Sequence, residues 1–392
     1  MGEKKFITGD EAVAYAVKLA RVKVVSAYPI TPQTPIVERI AKFIADGELE
    51  ADYIRVESEH SAMAGCLGAC MAGVRSFTAS ASHGLAYMHE MLSYVAGGRF
   101  PIVLAVANRS IGPPWSIWGE QQDSIQQRDT GFIQLYVESA QEAFDTVLQA
   151  FKIAENPEVF TPVMVCLDGF HVSHTEELVE IPDQAEIDRF LPPFTPNALL
   201  NPDEPMSLTM GASDRLYTKW RYEQFQAIQA AAKVIEAVDK EYGKLFVRSY
   251  GGLVDAYRCK GADVIVVTMG GLATGAAKEA ADALRKAGIK AGVLKVRAFR
   301  PFPAEAVRKH LASAKQVIVI DRDCSYGYEG ALCSEVKAAL CGLQPCPQVT
   351  NFIGGIGGAD ITPVDVQVLV KKVIKTAPHK PGGIVFQYQE EK

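Results

Sequence analysis

Side chains capable of proton transfer and anion binding follow four successive apolar segments in the N-terminal part of the chain. They are Thr31 after the first segment, Glu57 and Glu59 after the second, Ser82 and His83 after the third, and Arg109 after the fourth. Ligands of an open parallel sheet bind beyond the carboxyl ends of its strands, so these side chains are expected to share one edge. Turn residues alone would not give this mixture of hydroxyl, carboxylate, imidazole and guanidinium groups. The sequence therefore predicts a site at that edge.

Each of these residues also has a purely structural explanation, which the residues alone leave open. Thr31 lies between two prolines and could stiffen a loop. Glu59 could stabilise a helix N-terminus, because a carboxylate there interacts favourably with the helix dipole. Arg109 could be a salt-bridge partner, and His60 and His83 could be structural histidines.

Metal and phosphate motifs are weak in this sequence. The eight cysteines include no CxxC pair, which zinc and iron–sulfur sites usually contain, so they are interpreted as free thiols, mostly buried. His171 and His174 have no carboxylate set nearby. The glycine-rich segments 268–275 and 352–360 match neither GxGxxG nor a Walker loop, and the first is interpreted as a tight strand-to-helix turn.

Six apolar segments, rich in Val, Ile and Phe, must position these side chains. They span residues 22–28, 53–56, 75–79, 102–107, 132–137 and 162–167. Because they are nearly continuously apolar, they indicate strands buried on both faces of a parallel sheet. Helical patterns lie between them, for example at 9–21 and 141–154, with Asp10 and Ser139 as predicted caps. The alternation predicts a doubly wound α/β domain over residues 1–185.

Two further parts and a tail follow this domain. Residues 186–258 begin with five prolines and continue with a helical apolar stripe over 213–242, which predicts a proline-rich and helical connector. Residues 259–378 show a second α/β pattern. Its strands are predicted at 263–268, 290–296 and 316–321, and its helices at 272–287 and 303–313. The tail, 379–392, is expected to be a surface excursion.

Composition excludes several classes of protein. The chain has 392 residues, a formal charge of −6, 48% hydrophobic and 22% charged residues, which is typical of a globular protein of two or three domains. It has no long basic run, so nucleic-acid binding is not predicted. No apolar stretch approaches the roughly 18 residues of a membrane helix, and the N-terminus lacks the apolar core of a signal peptide. A cytoplasmic location is therefore predicted.

Five motifs suggest a family. They are YPITPQT at 28–34, VESEHSA at 56–62, SIWGEQQDS at 116–124, QRDTG at 127–131 and VRAFRPFP at 296–303. Together they resemble the alpha subunit of multi-subunit 2-oxoacid:ferredoxin oxidoreductases, over nearly the whole chain. The resemblance implies a thiamine diphosphate enzyme, with a pyrimidine-binding module at 1–185 and a transketolase C-terminal-like domain at 259–378.

The resemblance also implies roles for single residues. Glu59 would contact N1′ of the aminopyrimidine of the cofactor, where a buried carboxylate can share a proton with the ring. Thr31 and Arg109 would hold the carboxylate and the carbonyl oxygen of the 2-oxoacid. The other predicted cofactor-binding residues are Tyr28, Pro29, Ile30, Ser82 and His83.

The implied reaction is the CoA-dependent oxidative decarboxylation of a 2-oxoacid to acyl-CoA, with electrons passed to ferredoxin. Pyruvate is the simplest substrate. Branched-chain and aryl 2-oxoacids are the alternatives, because the sister enzymes share YPITP. Two hypotheses of other classes are a non-catalytic assembly subunit, disfavoured by the intact Glu59 and Arg109, and a two-domain nucleotide-binding dehydrogenase, disfavoured by the missing GxGxxG.

Thiamine enzymes bind Mg²⁺ and the diphosphate through a motif that begins with GDG. This motif is missing here, because Asp168-Gly169 is preceded by Leu167 and not by glycine. The resemblance therefore implies that thiamine diphosphate is shared with a beta-type subunit. It places Mg²⁺ and [4Fe–4S] clusters on partner subunits only, and no metal site is predicted on this chain. The implied assembly also contains gamma- and delta-type subunits and is a dimer of heteromers.

Overall fold

A computed structural model describes residues 2–196, 198–375 and 383–388 of the chain. Two large sheets, of seven and six strands, and a separate pair of antiparallel strands organise these residues. Buried apolar side chains fill the space between the sheets and the helices that pack on them. None of the helices in these ranges is long and apolar enough to cross a membrane.

The N-terminal part alternates strands and helices, as its apolar pattern predicts. In chain order its elements are β1 (Glu3–Thr8), α1 (Gly9–Leu19), β2 (Val24–Ala27), α2 (Thr34–Ala45), β3 (Asp52–Arg55), α3 (Glu59–Met71), β4 (Ser76–Ser80), α4 (Ser82–Tyr87), α5 (His89–Gly97), β5 (Val103–Asn108), α6 (Gln122–Ile125), β6 (Ile133–Tyr136), α7 (Ala140–Ala154), β7 (Val163–Asp168), β8 (Glu176–Ile181) and α8 (Gln184–Phe190). The six predicted strand segments correspond to β2 through β7, and the two predicted helices to α1 and α7.

Strands β2 to β7 lie in the seven-stranded sheet, whose order is β12–β6–β7–β5–β4–β2–β3, where β12 (Ala298–Arg300) comes from the C-terminal half. The six N-terminal strands run parallel to one another. Every residue of the central strands β5 and β7 is buried, which explains why these segments are continuously apolar. Strands β1 and β8 form the separate antiparallel pair.

Helix α1 begins at a different cap from the predicted one. Thr8 Oγ1 accepts a hydrogen bond from Glu11 N (3.2 Å), and the Glu11 carboxylate accepts one from Thr8 N (3.4 Å), which is a capping box. The prediction of Asp10 as the cap is wrong, because Asp10 lies inside the first turn and is fully buried. The predicted cap of α7 is confirmed: Ser139 Oγ accepts a hydrogen bond from Glu142 N at 3.1 Å.

The connector contains one long helix, α9 (Asp214–Phe246), at the position where the apolar stripe predicts it. From Ala231 to Tyr242 the stripe is buried, and this part of α9 packs against α7. Leu216 and Trp220 belong to the same stripe but are each 36% exposed. The N-terminal end of α9 therefore leaves its apolar face at the surface of this chain.

The C-terminal half forms the six-stranded sheet. Its elements are β9 (Val254–Tyr257), β10 (Val264–Thr268), α10 (Gly271–Lys286), β11 (Ala291–Val296), β12, α11 (Ala304–Leu311), β13 (Gln316–Asp321), α12 (Ala331–Leu340), β14 (Gln348–Ile353), a 3₁₀ turn (Ile356–Gly358), α13 (Pro363–Lys375) and β15 (Ile384–Phe386). The strand order is β15–β14–β13–β10–β11–β9, with β9 antiparallel to β11 and the others parallel. The three predicted strands and two predicted helices are found as β10, β11, β13, α10 and α11.

The segment expected to be a surface excursion adds a strand to this sheet. Ile384–Phe386 pair with Asn351, Phe352 and Ile353 of β14, as the edge strand β15. Residues 379–382 and 389–392 of that segment lie outside the described residues.

A buried ionic network joins the two halves. Glu142 of α7 forms ion pairs with Lys295 and Arg297, both of which are also buried. The Arg297 guanidinium also donates to Thr146 Oγ1 and Gln149 Oε1, each at 2.9 Å. Immediately after Arg297, strand β12 leaves the C-terminal half and pairs antiparallel with β6. The VRAFRPFP motif is therefore one of the segments that join the two halves.

Candidate active site

The carboxyl ends of β2, β3, β4 and β5 bring the predicted site residues to one edge of the seven-stranded sheet. Tyr28 to Thr31 follow β2, Glu59 begins α3, Ser82 begins α4 and Arg109 follows β5. These four strands are neighbours in the order β5–β4–β2–β3. The structure thus places all of these residues at the edge that the chain pattern predicts. Direct hydrogen bonds join Arg109 to Thr31 and Ser82 to His83.

Glu59 is a buried carboxylate at the start of α3. Ser58 caps this helix: its Oγ accepts a hydrogen bond from Ser61 N at 3.2 Å. The Glu59 carboxylate is therefore not the cap. Its residue is only 6% exposed, and burial raises the pKa of Glu59, partly offset by its own backbone amide. Among the described residues, no other side chain donates a hydrogen bond to this carboxylate. A buried carboxylate of this kind is suited to receive a proton-bearing group of a ligand.

Gly84 makes the space that Glu59 occupies. A Cβ atom on Gly84 would lie 2.3 Å from Glu59 Oε1, which is far inside van der Waals contact. The first turn of α4 can therefore approach the carboxylate only because residue 84 has no side chain.

Arg109 is held by backbone carbonyls and an aromatic ring. Its Nη1 donates to Thr31 O (2.9 Å) and its Nε to Ser116 O (3.3 Å), and its guanidinium lies 5.1 Å from the ring centre of Trp115. Residue 109 is 4% exposed, and burial lowers its pKa, an effect opposed by the charge of Asp123. Within the described part of the chain, no carboxylate forms an ion pair with the guanidinium, so the salt-bridge explanation is not supported. Nη2 donates to no group in that part, which leaves this N–H donor for a ligand.

The loop after β2 is fixed from beneath while its outer side chains face solvent. Gln33 is buried, and its Nε2 donates to Tyr28 O at 2.9 Å. Arg109 holds the same loop through Thr31 O. Tyr28, Pro29 and Thr31 are exposed and Ile30 is partly exposed, so these side chains can contact a molecule bound over the loop.

The side chains of Ser82 and His83 form hydrogen bonds with other residues of this chain. Ser82 is buried, and its Oγ donates to Ser110 O. His83 Nε2 accepts a hydrogen bond from Gly112 N at 3.1 Å, and its Nδ1 lies 3.2 Å from Ser82 Oγ. The two side chains thus join the loop after β4 to the loop after β5.

Asp123 is a site residue to which the sequence assigns no role. It is fully buried, and burial raises the pKa of Asp123 to about 6, although hydrogen bonds from Asn108 and from three backbone amides oppose the shift. Those amides belong to Ser82, Arg109 and Ser124. Asp123 lies within the motif SIWGEQQDS. The motif does not indicate which groups Asp123 contacts, because most of them are backbone amides.

The residues just before Asp123 contact the C-terminal half. Gln121 N donates to Arg322 O (2.8 Å), and Arg322 Nη2 donates to Gly119 O (2.9 Å). Gln122 Oε1 accepts a hydrogen bond from Cys324 N at 2.9 Å. The site edge and the second sheet therefore share this segment.

Asp168 occupies the N-terminus of α10. Its Oδ2 accepts hydrogen bonds from Gly271 N (2.8 Å) and Leu272 N (2.9 Å), and its Oδ1 lies 2.7 Å from Arg322 Nη1. A carboxylate of the chain itself fills this helix end. The glycine-rich segment 268–275 contains the predicted tight strand-to-helix turn, at residues 269–270 between β10 and α10. Gly270 has φ of 75° there, a conformation that favours glycine.

Cysteine and histidine side chains form no metal-binding cluster in the ranges that the structure describes. Five of the cysteines are buried: Cys66, Cys70, Cys166, Cys259 and Cys333. His174 lies beside the buried Asp10, with Nδ1 3.6 Å from Oδ2, rather than in a ligand set with His171.

Two family models match the chain in succession. A model described as pyruvate flavodoxin/ferredoxin oxidoreductase, thiamine diphosphate-binding, matches residues 15–240, and one described as pyruvate:ferredoxin oxidoreductase core domain II matches residues 262–366. Pyruvate synthase subunit PorA of Methanothermobacter thermautotrophicus is 49% identical over 368 residues, which is 94% of both chains. Pyruvate synthase subunit PorA of Methanocaldococcus jannaschii is 47% identical over 378 residues, 96% of both chains. Ketoisovalerate oxidoreductase subunit VorA of Pyrococcus abyssi is 47% identical over 377 residues, 95% of both chains.

Solved structures share the fold. The 2-oxoglutarate:ferredoxin oxidoreductase of Magnetococcus marinus, solved with 2-oxoglutarate, coenzyme A and succinyl-CoA, matches with a TM-score of 0.71 at 22% identity, over 95% of this chain and 66% of that one. A split-gene transketolase matches with a TM-score of 0.55 at 16% identity, over 95% of this chain and 99% of that one. These matches confirm the predicted fold class. The chain belongs to the pyruvate flavodoxin/ferredoxin oxidoreductase family, and its identification as an alpha subunit of a 2-oxoacid:ferredoxin oxidoreductase is confirmed.

Proposed function

We propose that this chain is the alpha subunit of a pyruvate:ferredoxin oxidoreductase. The complex would convert pyruvate and coenzyme A to acetyl-CoA and CO₂ and pass two electrons to ferredoxin. The observation that carries the proposal is that one sheet edge holds both a buried carboxylate without a side-chain partner, Glu59, and a buried guanidinium with an unused N–H group, Arg109. The relatives named as pyruvate synthase subunits support pyruvate as the substrate.

Glu59 fits the aminopyrimidine end of thiamine diphosphate. Thiamine diphosphate, when bound, supplies the electron sink that decarboxylation of a 2-oxoacid needs. Glu59 would hold the N1′ side of the ring and exchange a proton with it. Its raised pKa brings the carboxyl group closer to the neutral pH at which such an exchange is efficient. Tyr28, Pro29 and Ile30 would line the same wall, and Ser82 and His83 would shape it through the two loops that they join.

Arg109 and Thr31 fit the 2-oxoacid. The guanidinium is fixed by two carbonyls, and Nη2 remains for a charge-assisted hydrogen bond to the substrate carboxylate. The Thr31 side chain is exposed beside it and would donate to the carbonyl oxygen. Because Arg109 is anchored before substrate arrives, little ordering is needed on binding.

The diphosphate, Mg²⁺ and the iron–sulfur clusters are assigned to partner subunits. Asp168, the candidate for a diphosphate–Mg²⁺ motif, is used by α10 and Arg322 instead. We therefore assign the diphosphate and Mg²⁺ to a beta-type subunit, and the [4Fe–4S] clusters to that and other subunits. Gamma- and delta-type subunits, a dimer of heteromers, coenzyme A as co-substrate and a cytoplasmic location complete the proposal.

A branched-chain 2-oxoacid is the second candidate substrate. The observation that favours it is Trp115, an aromatic side chain that is 71% exposed and whose ring centre lies 5.1 Å from the Arg109 guanidinium. An apolar surface there suits a larger acyl group, and the relative from Pyrococcus abyssi is named as a ketoisovalerate oxidoreductase subunit.

The test is a substrate comparison with the purified native complex. CoA-dependent reduction of ferredoxin or methyl viologen is measured with pyruvate, 2-oxoisovalerate and phenylglyoxylate. The proposal expects the highest kcat/KM with pyruvate. A higher kcat/KM with 2-oxoisovalerate would select the second candidate, and no reduction with any 2-oxoacid would overturn both.

A further inference from the structure

We infer that Asp123 is a positioning residue of the 2-oxoacid site, which holds Arg109 in place from below and fixes it relative to the C-terminal half of the chain. The inference rests on the proposed function, because it takes Arg109 as the group that binds the substrate carboxylate. Asp123 itself is fully buried and touches neither substrate nor cofactor in this proposal.

The Asp123 carboxylate connects the ends of two strands to α6. Its Oδ2 accepts hydrogen bonds from Ser82 N (2.8 Å) and Arg109 N (2.9 Å). Its Oδ1 accepts hydrogen bonds from Asn108 Nδ2 (2.7 Å) and Ser124 N (2.8 Å). The loops after β4 and β5 are thereby tied to one side chain.

Both oxygens of Asp123 must accept hydrogen bonds for its four partners to be satisfied. All four partners are N–H donors, and an ionised carboxylate offers acceptors on both oxygens. An asparagine at the same place would turn an NH₂ group toward at least one of these donors. Since the site is closed to solvent, the mismatched pair could not be rescued by bulk water.

One of the tied residues has an unfavourable backbone conformation. Ser82 has φ of 52°, in the left-handed region that non-glycine residues rarely adopt. Its amide is held by Asp123 and its hydroxyl by Ser110 O. These contacts hold the loop in that conformation, so loss of the Asp123 charge should release it.

Asp123 is in turn positioned from the C-terminal half. It is the second residue of the short helix α6, and the preceding residues are fixed by Arg322 O and Cys324 N through Gln121 and Gln122. Both of these partners follow β13 of the second sheet. The position of Arg109 therefore depends on contacts between the two halves, although Arg109 itself makes none of them.

The test compares Asp123→Asn with a matched control in the purified complex. Asp239 is also buried, and its carboxylate likewise accepts four donors, from Tyr250 N, Gly252 N, Ser249 Oγ and Gln149 Nε2. Asp123→Asn should raise KM for pyruvate on the order of ten-fold or more, the usual effect of losing a charge-assisted hydrogen bond, and leave KM for coenzyme A unchanged. Asp239→Asn should lower the unfolding temperature without changing either KM.

Two further variants separate the possible failures. If Asp123→Asn does not assemble, Asn108→Ala, which removes one donor to the same carboxylate, is measured instead and should raise KM for pyruvate selectively. An unchanged KM for pyruvate in the variant measured would overturn the inference, and so would an equal rise in both KM values. Arg109→Ala tests the proposed function separately: if it leaves KM for pyruvate unchanged, the substrate role of Arg109 fails, whatever Asp123 does.

Discussion

Replacing Glu59 by glutamine removes the charge of the buried carboxylate and keeps the size of the side chain. Among the described residues, no other side chain hydrogen-bonds this carboxylate, and in the proposed function it is the group that exchanges a proton with the bound ring. A positioned acid–base group typically contributes 10²- to 10⁴-fold to a rate, so kcat of the complex should fall by about 100-fold or more. The measurement is CoA-dependent viologen reduction with pyruvate, together with native mass determination to show that the subunits still assemble.

The same replacement should not weaken the fold. Burial raises the pKa of Glu59, so the folded chain binds this proton more tightly than the unfolded chain does. The contribution of Glu59 to stability is therefore full at pH values below its ordinary pKa and is lost as the pH rises through the raised pKa. Glutamine has no such dependence. The measurement is the unfolding temperature of the cofactor-depleted complex. The difference between Glu59→Gln and wild type should increase as the pH is raised from the ordinary pKa of a glutamate to the raised pKa of Glu59.

Glu57 provides the control for this experiment. It lies two residues away and is exposed, and hydrogen bonds from the Ser61 and Ser58 hydroxyls lower its pKa. Glu57→Gln should leave kcat close to that of wild type, because this exposed carboxylate is not the one proposed to exchange a proton with the cofactor, and it should change the free energy of unfolding little. Wild-type kcat in Glu59→Gln would refute the proposed role. A loss of kcat that is equal in both variants would show that the loop, and not the buried carboxylate, is responsible.

Three other substitutions test neighbouring parts of the structure. Arg109→Lys loses the fixed planar guanidinium and should raise KM for pyruvate about ten-fold or more, measured by steady-state kinetics; an unchanged KM would contradict the substrate role. Gly84→Ala places a Cβ 2.3 Å from Glu59 Oε1 and should lower kcat although no charge is lost, whereas Gly68→Ala in α3, with open space around it, should keep full activity. Equal activities of these two variants would refute the packing argument. Glu142→Gln removes the carboxylate that two buried cations share and should lower the free energy of unfolding by about 3–5 kcal/mol in denaturant titrations; a change below about 1 kcal/mol would contradict the importance of this network.

The parallel sheet and its ligand edge could be predicted from the sequence because both follow from local patterns. A continuously apolar segment such as that of β5 has few alternatives to a buried strand, and the residue after a strand must lie at its carboxyl end. This is why Glu59 and Arg109 could be placed at one edge before their contacts were known. The capping prediction at Asp10 failed for a local reason as well: Thr8 and Glu11 form a capping box two residues earlier.

The remaining features depend on contacts between distant parts of the chain. Strand β12 follows β11 almost directly but pairs with β6, more than 150 residues earlier in the chain. The apolar stripe of α9 predicts a helix correctly, but it cannot tell that Leu216 stays exposed while Ala231 is buried. Asp123 accepts hydrogen bonds mainly from backbone amides, and backbone amides have no sequence signature.

The site and the contact between the two halves belong to one structural unit. Arg109 and Glu59 stand on the first sheet, yet the Asp123 segment below Arg109 is fixed by residues that follow β13. Strand β12 and the Glu142 network join the same halves at a second place. Together with the contacts of Asp168 with α10 and Arg322, these connections restrain the two halves relative to each other. Given the proposed role of Arg109, a substitution among the residues that follow β13 should change 2-oxoacid binding without altering any residue of the first sheet.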